Sequence, residues 1–107
     1  MAYPLENALY QWEDGWRALR EISDPRERRL ADRVVEAIRD ELRRRIGPTF
    51  SAAELAELYG RGTDWCQQVA LDVAPAVASD SQSLADAAFW LYLRGATDFA
   101  GGRQLPV

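Results

Sequence analysis

Two glutamates three residues apart, Glu54 and Glu57, are the first side chains in this sequence of 107 residues whose types and spacing suggest chemistry. On a helix that spacing puts both carboxylates on one face, where they can supply half of a divalent-cation site. The other half requires a second carboxylate pair on a facing helix. Downstream of Glu57 stand Asp64, Asp72, Asp80, Asp86 and Asp98, none of them three or four residues from another. Glu54 also follows Ser51 by three residues, which suits it to a helix cap. Cys66 is the single thiol, with no histidine or lysine in the chain to lower its pKa, and it reads as a small buried hydrophobe. Histidine is absent altogether, which removes the commonest general base and the commonest metal ligand. Gly60-Arg61-Gly62 lacks the further glycine and the lysine of a phosphate loop. The residues therefore predict no catalytic group, no cofactor and no metal site, and the expected function is not enzymatic.

Anion binding is better supplied. All 13 basic residues are arginine, and Arg26, Arg28, Arg29, Arg33, Arg39, Arg43, Arg44 and Arg45 crowd into positions 25–46. Glu27, Asp32, Glu36, Asp40 and Glu41 share that stretch, so the expectation is a solvated, self-paired face in which Asp40 and Glu41 reach Arg44 and Arg45 at i,i+4. Arg43, Arg44 and Arg45 fall in the last turn, where cations oppose the helix dipole, and are the candidates for an anion. Four tryptophans, Trp12, Trp16, Trp65 and Trp90, form the other conspicuous set. Trp12 and Trp16 lie one turn apart and are expected mainly inside the core. The sharper alternative is that Trp12 and Trp16, flanked by Tyr3 and Tyr10, present an aromatic surface to a second copy or to another protein.

Helical periodicity must position all of these. Leu5, Leu9, Trp12, Trp16 and Leu19 repeat at helical spacing over about residues 4–22. Ser23-Asp24-Pro25 ends that helix and opens a second over 25–46, striped by Leu30, Val34, Ile38, Leu42 and Ile46, until Gly47-Pro48 stops it. The short connection predicts that these two helices form an antiparallel pair. Ser51 and Glu54 open a third helix over 52–60, Thr63 a fourth over 63–74, and Ser83 a fifth over 83–97. The stretch 75–82 reads as a surface connection and about 103–107 as a flexible C-terminal tail. LADAAFWLYL in the fifth helix is apolar almost all round and predicts a central position. The fold class is all-α: a compact single-domain bundle of about five helices over residues 1–107.

Ala52 to Leu71, AAELAELYGRGTDWCQQVAL, resembles a helix-turn-helix, with Gly60 as the turn glycine. That resemblance implies a nucleic-acid binder in which Gln67 and Gln68 read bases while Arg61 and Arg43 to Arg45 hold phosphates. Arg61 stands where the pattern has an apolar residue, and Asp64 and Asp72 set negative charge on the supposed reading helix. The formal charge is −4, and all of the excess lies in residues 51–107, which makes nucleic acid the disfavoured partner. GTDW and DAAFWLYLRGATDFAGG are similar to stretches of small all-helical proteins from GC-rich actinobacteria, which carries no activity across. The missing lysine fits the codon bias of such a bacterial genome. The longest apolar run, Ala87–Leu93, is far short of the roughly 20 residues of a membrane span, and Glu6 stands where a signal peptide carries positive charge. The expectation is a cytoplasmic, non-catalytic protein-interaction or regulatory module with a protein partner or a second copy of itself.

Overall fold

Local chemistry starts and stops the helices as the residue types require. Asp24 accepts a hydrogen bond from the backbone N–H of Arg26 at 2.9 Å, and Pro25 takes the first helical position, where no donor is needed. Ser51 and Glu54 form a reciprocal capping box, the Ser51 hydroxyl accepting from the Glu54 N–H at 3.1 Å and the Glu54 carboxylate from the Ser51 N–H at 3.0 Å. Gly47, at φ +85°, ends the long second helix in a backbone region that other residues rarely enter.

The computed structural model describes residues 4–96, which form an all-α bundle. The helices are α1 (Leu5–Arg20), α2 (Pro25–Ile46), α3 (Ala52–Gly60), α4 (Asp64–Val73) and α5 (Ser81–Leu93). Among the described residues there is no strand. Tyr3 and the expected tail at 103–107 lie outside the described residues; the fifth helix, expected to run to 97, ends at Leu93, with Arg94 and Gly95 in a turn.

Two expectations are corrected. Residues 75–82 lie at the surface as expected but are not irregular: Pro75–Asp80 is a 3-10 helix that buries Val77 and Ala78 and runs straight into α5, which therefore begins at Ser81 rather than 83. The apolar side chains at 77 and 78 were too few to show a period, yet enough to hold the segment down. Secondly, α1 and α2 are not each other's packing partners. Each packs on α5, which lies between them and buries eight of its 13 residues.

The absence of a side chain makes the closest of these contacts possible. At Gly15 of α1 a Cβ would lie 2.6 Å from the carbonyl oxygen of Ser83 and 2.9 Å from the backbone nitrogen of Ala87, with the Cβ of Asp86 closer still. Gly15 thus lets the α1 backbone rest on that of α5, and Trp12, one turn earlier, enters the core with no exposed surface. Its ring stacks on Phe89 at 5.4 Å and meets Tyr59 edge-on at 5.6 Å. Trp12 therefore offers nothing to a partner: the heavy aromatic face of α1 is mainly core.

Candidate functional site

The C-terminal turns of α2 and α5 converge with the Pro48–Phe50 segment around an open groove of about 760 Å³. Arg39 and Arg43, one turn apart on α2, and Arg94, just past the end of α5, form its rim. Pro48, Phe50, Leu91 and Tyr92 supply its apolar wall, with Gly95 between them. Among the described residues no carboxylate lines it. The wall is rigid by construction: Phe50 and Tyr92 stack at 4.7 Å with their planes 10° apart, and the Tyr92 hydroxyl donates to the carbonyl of Gly47 at 2.7 Å. That hydrogen bond ties the end of α2 to the last turn of α5. Burial raises the Tyr92 phenol above its ordinary pKa, and the guanidiniums of Arg43 and Arg39 pull it part of the way back.

The charge in the groove is a surplus. Arg39 donates to Glu36 at 3.2 Å, whereas Arg43 and Arg94 have no carboxylate partner among the described residues. Each of the two helix C-termini brings a partial charge of about −0.5. Among the described residues, three guanidiniums outweigh those partial charges and Glu36 together, by roughly one positive charge, over an aromatic wall in a protein of net charge −4.

Helical geometry separates the three consecutive arginines, each turned about 100° from the last. Arg43 faces the groove. Arg44 pairs with Glu41 at 2.9 Å, and Arg45 pairs with the same carboxylate at 3.2 Å. Arg45 also lies over the ring of Trp65, 4.4 Å from its centroid. The expected partner of Arg44, Asp40, does not appear in that role. Arg61 pairs with Glu57 at 3.3 Å and does not line the groove. Gln67 and Gln68 are exposed on α4, with Gln68 donating to Asp72 at 3.0 Å. Of the six residues named for an anion, Arg43 alone lines the groove.

Of the aromatic set, Tyr10 is 74% exposed, and Trp16 is half-buried with the Arg20 guanidinium 5.8 Å from its ring. Tyr10 shares a smaller pocket, about 290 Å³, with Glu6, Leu9, Glu13 and the edge of Trp90. Glu13 already holds Arg17 at 2.9 Å.

A second polar group sits where α1, α3 and α5 meet. The Tyr59 hydroxyl lies 2.7 Å from both Asp86 Oδ1 and Gln11 Oε1, and Gln82 donates to Asp86 at 3.0 Å while accepting from Thr63 at 3.3 Å. Thr63, expected to cap α4 with its side chain, makes this tertiary bond instead. One hydroxyl carries one proton, so the second 2.7 Å contact needs a proton from the other side, from a Gln11 amide turned about or from Asp86 itself. Burial raises the pKa of Asp86, opposed by its hydrogen bonds from Tyr59 and Gln82 and helped by the charge of Asp14. Cys66 is buried, and desolvation pushes its thiol up to about 12, so it is protonated and unreactive.

Arg39, Phe50, Tyr92, Arg94 and Gly95 come from three separate segments and share no local pattern that links them in the sequence. Asp86 did carry a signal, as the one acid within the apolar run LADAAFWLYL. Among the described residues no helix is long and apolar enough to cross a membrane. Comparison with known protein families, with curated proteins and with solved structures finds no match.

Proposed function

We propose that this protein is a non-catalytic interaction module that docks an acidic segment of a protein partner in the groove between the ends of α2 and α5. The observation that supports this reading is the convergence of three guanidiniums on an aromatic wall, where among the described residues two of the three have no carboxylate partner and no carboxylate lines the groove. Arginine suits such a role because its planar donor fork pairs with a carboxylate through two hydrogen bonds. The size of the groove falls in the range of about 300–1,000 Å³ typical of ligand sites.

Charge placement favours a short acidic segment over a nucleic acid. A polyanion needs a continuous basic track. Here Arg44 and Arg45 are drawn onto Glu41 and Trp65, and Asp40 and Glu36 interrupt the exposed face of α2.

Fluorescence anisotropy with a labelled peptide rich in Asp and Glu tests the reading. Binding is expected at low salt, weaker as salt rises, and lost in Arg43→Glu/Arg94→Glu. Arg26→Glu/Arg29→Glu, an equal charge change at exposed arginines outside the groove, is expected to retain it. Equal loss in both double variants, or preferential binding of duplex DNA, overturns the proposal.

A further inference from the structure

We infer that the solvent face of α2 binds the same face of a second copy of this chain in an antiparallel two-fold contact, with Arg29 and Arg33 of each copy against Asp40 and Glu36 of the other. None of the four lines the groove, so this contact stands or falls apart from the docking of an acidic segment. Arg29, Arg33, Glu36 and Asp40 follow one another at four, three and four residues, the spacing that keeps side chains on one face of a helix, and all four are exposed. The row reads two positive charges and then two negative ones. Within one helix this order is unfavourable, because Arg29 and Arg33 are like charges one turn apart, and so are Glu36 and Asp40. Elsewhere the chain does the opposite: Glu13–Arg17, Arg28–Asp32, Glu41–Arg45 and Glu57–Arg61 set opposite charges one turn apart and pair at 2.9 to 3.5 Å. Among the described residues Arg29, Arg33 and Asp40 have no ion-pair partner, and Glu36 receives Arg39 on Oε1 while its side chain stays 68% exposed.

A two-fold axis turns the unfavourable order into a matched one. The midpoint between positions 29 and 40 is also the midpoint between 33 and 36, so two antiparallel copies of α2 centred there bring Arg29 opposite Asp40 and Arg33 opposite Glu36, twice over. Such a contact closes on itself and yields a dimer rather than an open string of molecules. The row extends about 16 Å along the helix axis. The next residues outward at that centring, Arg26 and Arg43, are like charges, and Arg43 is turned to the groove, so the favourable contact is confined to the central turns. Beside the row, Ala37 and Val73 line an open depression of about 330 Å³ together with Asp32, Arg33, Glu36 and Asp40. Its apolar side chains and three carboxylates suit an arginine of the other copy, whose methylene stem covers apolar surface while its guanidinium meets the acids. Charge order, and not a large apolar patch, selects the second copy, and the dimer is therefore weak and salt-sensitive.

Sedimentation velocity on the full chain tests this contact. At low salt, wild type is expected to shift from monomer toward dimer as its concentration is raised, with the association constant falling at least about tenfold at high salt. Arg29→Glu/Arg33→Glu makes the row wholly negative and Glu36→Arg/Asp40→Arg makes it wholly positive, so each alone is expected to sediment as a monomer. Mixed in equal amounts, the two are expected to associate one to one, at least as tightly as wild type. All four residues are exposed, so both variants are expected to keep the helical circular dichroism of wild type. Should one of them fail to fold, the inverted variant Arg29→Glu/Arg33→Glu/Glu36→Arg/Asp40→Arg is expected to restore self-association at wild-type strength. Arg43→Glu/Arg94→Glu at the groove and Tyr10→Ala on the exposed side of α1 are expected to dimerise at least as tightly as wild type. Wild type that stays monomeric at low salt up to about 1 mM overturns the inference. An unchanged dimer in either charge-reversed variant overturns it too, as does a mixture that does not associate, or loss of the dimer in Tyr10→Ala or Arg43→Glu/Arg94→Glu.

Discussion

The crossing of α1 over α5 and the groove at the end of α5 both gather polar side chains against aromatic rings, and they treat them in opposite ways. At the crossing, Tyr59, Asp86, Gln82 and Gln11 hydrogen-bond to one another, and the Gly15 backbone leaves no gap above Asp86. At the groove, Arg43 and Arg94 are exposed and have no carboxylate partner among the described residues, beside the stacked rings of Phe50 and Tyr92, and Arg43 is close enough to hydrogen-bond the Tyr92 hydroxyl. A buried polar group without a partner costs about 1–3 kcal/mol, so a satisfied cluster is what stability requires. An exposed guanidinium without a partner costs little, and such groups remain available for a ligand.

The contrast predicts that stability is concentrated at the crossing and binding at the groove. The largest effect is expected from Gly15→Ala, whose added Cβ has backbone atoms of α5 within 3 Å and cannot be accommodated by moving a flexible side chain. A loss of about 3 kcal/mol by urea denaturation is expected, at the upper end of the usual cost of overpacking. A loss under about 0.5 kcal/mol would mean that the two helices separate easily and that the crossing is no rigid seam. Tyr59→Phe keeps the ring contacts to Trp12 and Phe89 but removes the hydroxyl shared by Asp86 and Gln11. About 1–2 kcal/mol of destabilisation is expected from the same measurement.

Asp86 sharpens the comparison through pH. Its folded pKa is raised above the unfolded value, so the fold favours the protonated form. Its contribution to stability is therefore complete below the ordinary carboxylate pKa and is lost as pH rises through the raised value. Asp86→Asn retains an oxygen that accepts from Tyr59 and Gln82 and has no charge to bury. Wild type is expected to lose stability relative to this variant as the pH is raised from about 4 toward neutrality. A difference between the two that stays flat across that interval contradicts the assignment. The smallest stability effect is expected at the groove itself, where Arg43→Glu/Arg94→Glu should change the unfolding free energy by no more than about 0.5 kcal/mol. A larger loss would make the rim arginines structural and weaken the case for a binding surface.

Much of the fold was legible because the chain repeats simple local signals. The Asp24-Pro25 start and Gly47 stop of α2 and the Ser51–Glu54 box of α3 each involve atoms a few residues apart, and the bounds 25–46 and 52–60 are those observed. The apolar character of LADAAFWLYL likewise predicted the central place of α5. The 3-10 helix at Pro75–Asp80 was not legible, since its two buried residues show no period. Neither was the partner of α1. A short connection brings α1 and α2 near each other, but the contact made possible by Gly15 is with α5, 68 residues or more along the chain.

The candidate site lay on the far side of that divide. Composition alone established the charge, the missing histidine and lysine, and a crowd of arginines near the end of α2. Only the tertiary structure decided which arginine is available. Residues 43, 44 and 45 are adjacent in sequence but turn successively around the helix axis, so each meets a different neighbour. Arg44 and Arg45 find Glu41, and Arg45 also finds Trp65, while Arg43 finds Tyr92 and the groove. Sequence fixes a side chain's direction relative to its own helix, because that direction follows from the helical repeat. What stands in that direction depends on where α5 and the Pro48–Phe50 segment pack, and such long-range placement is written in no local pattern.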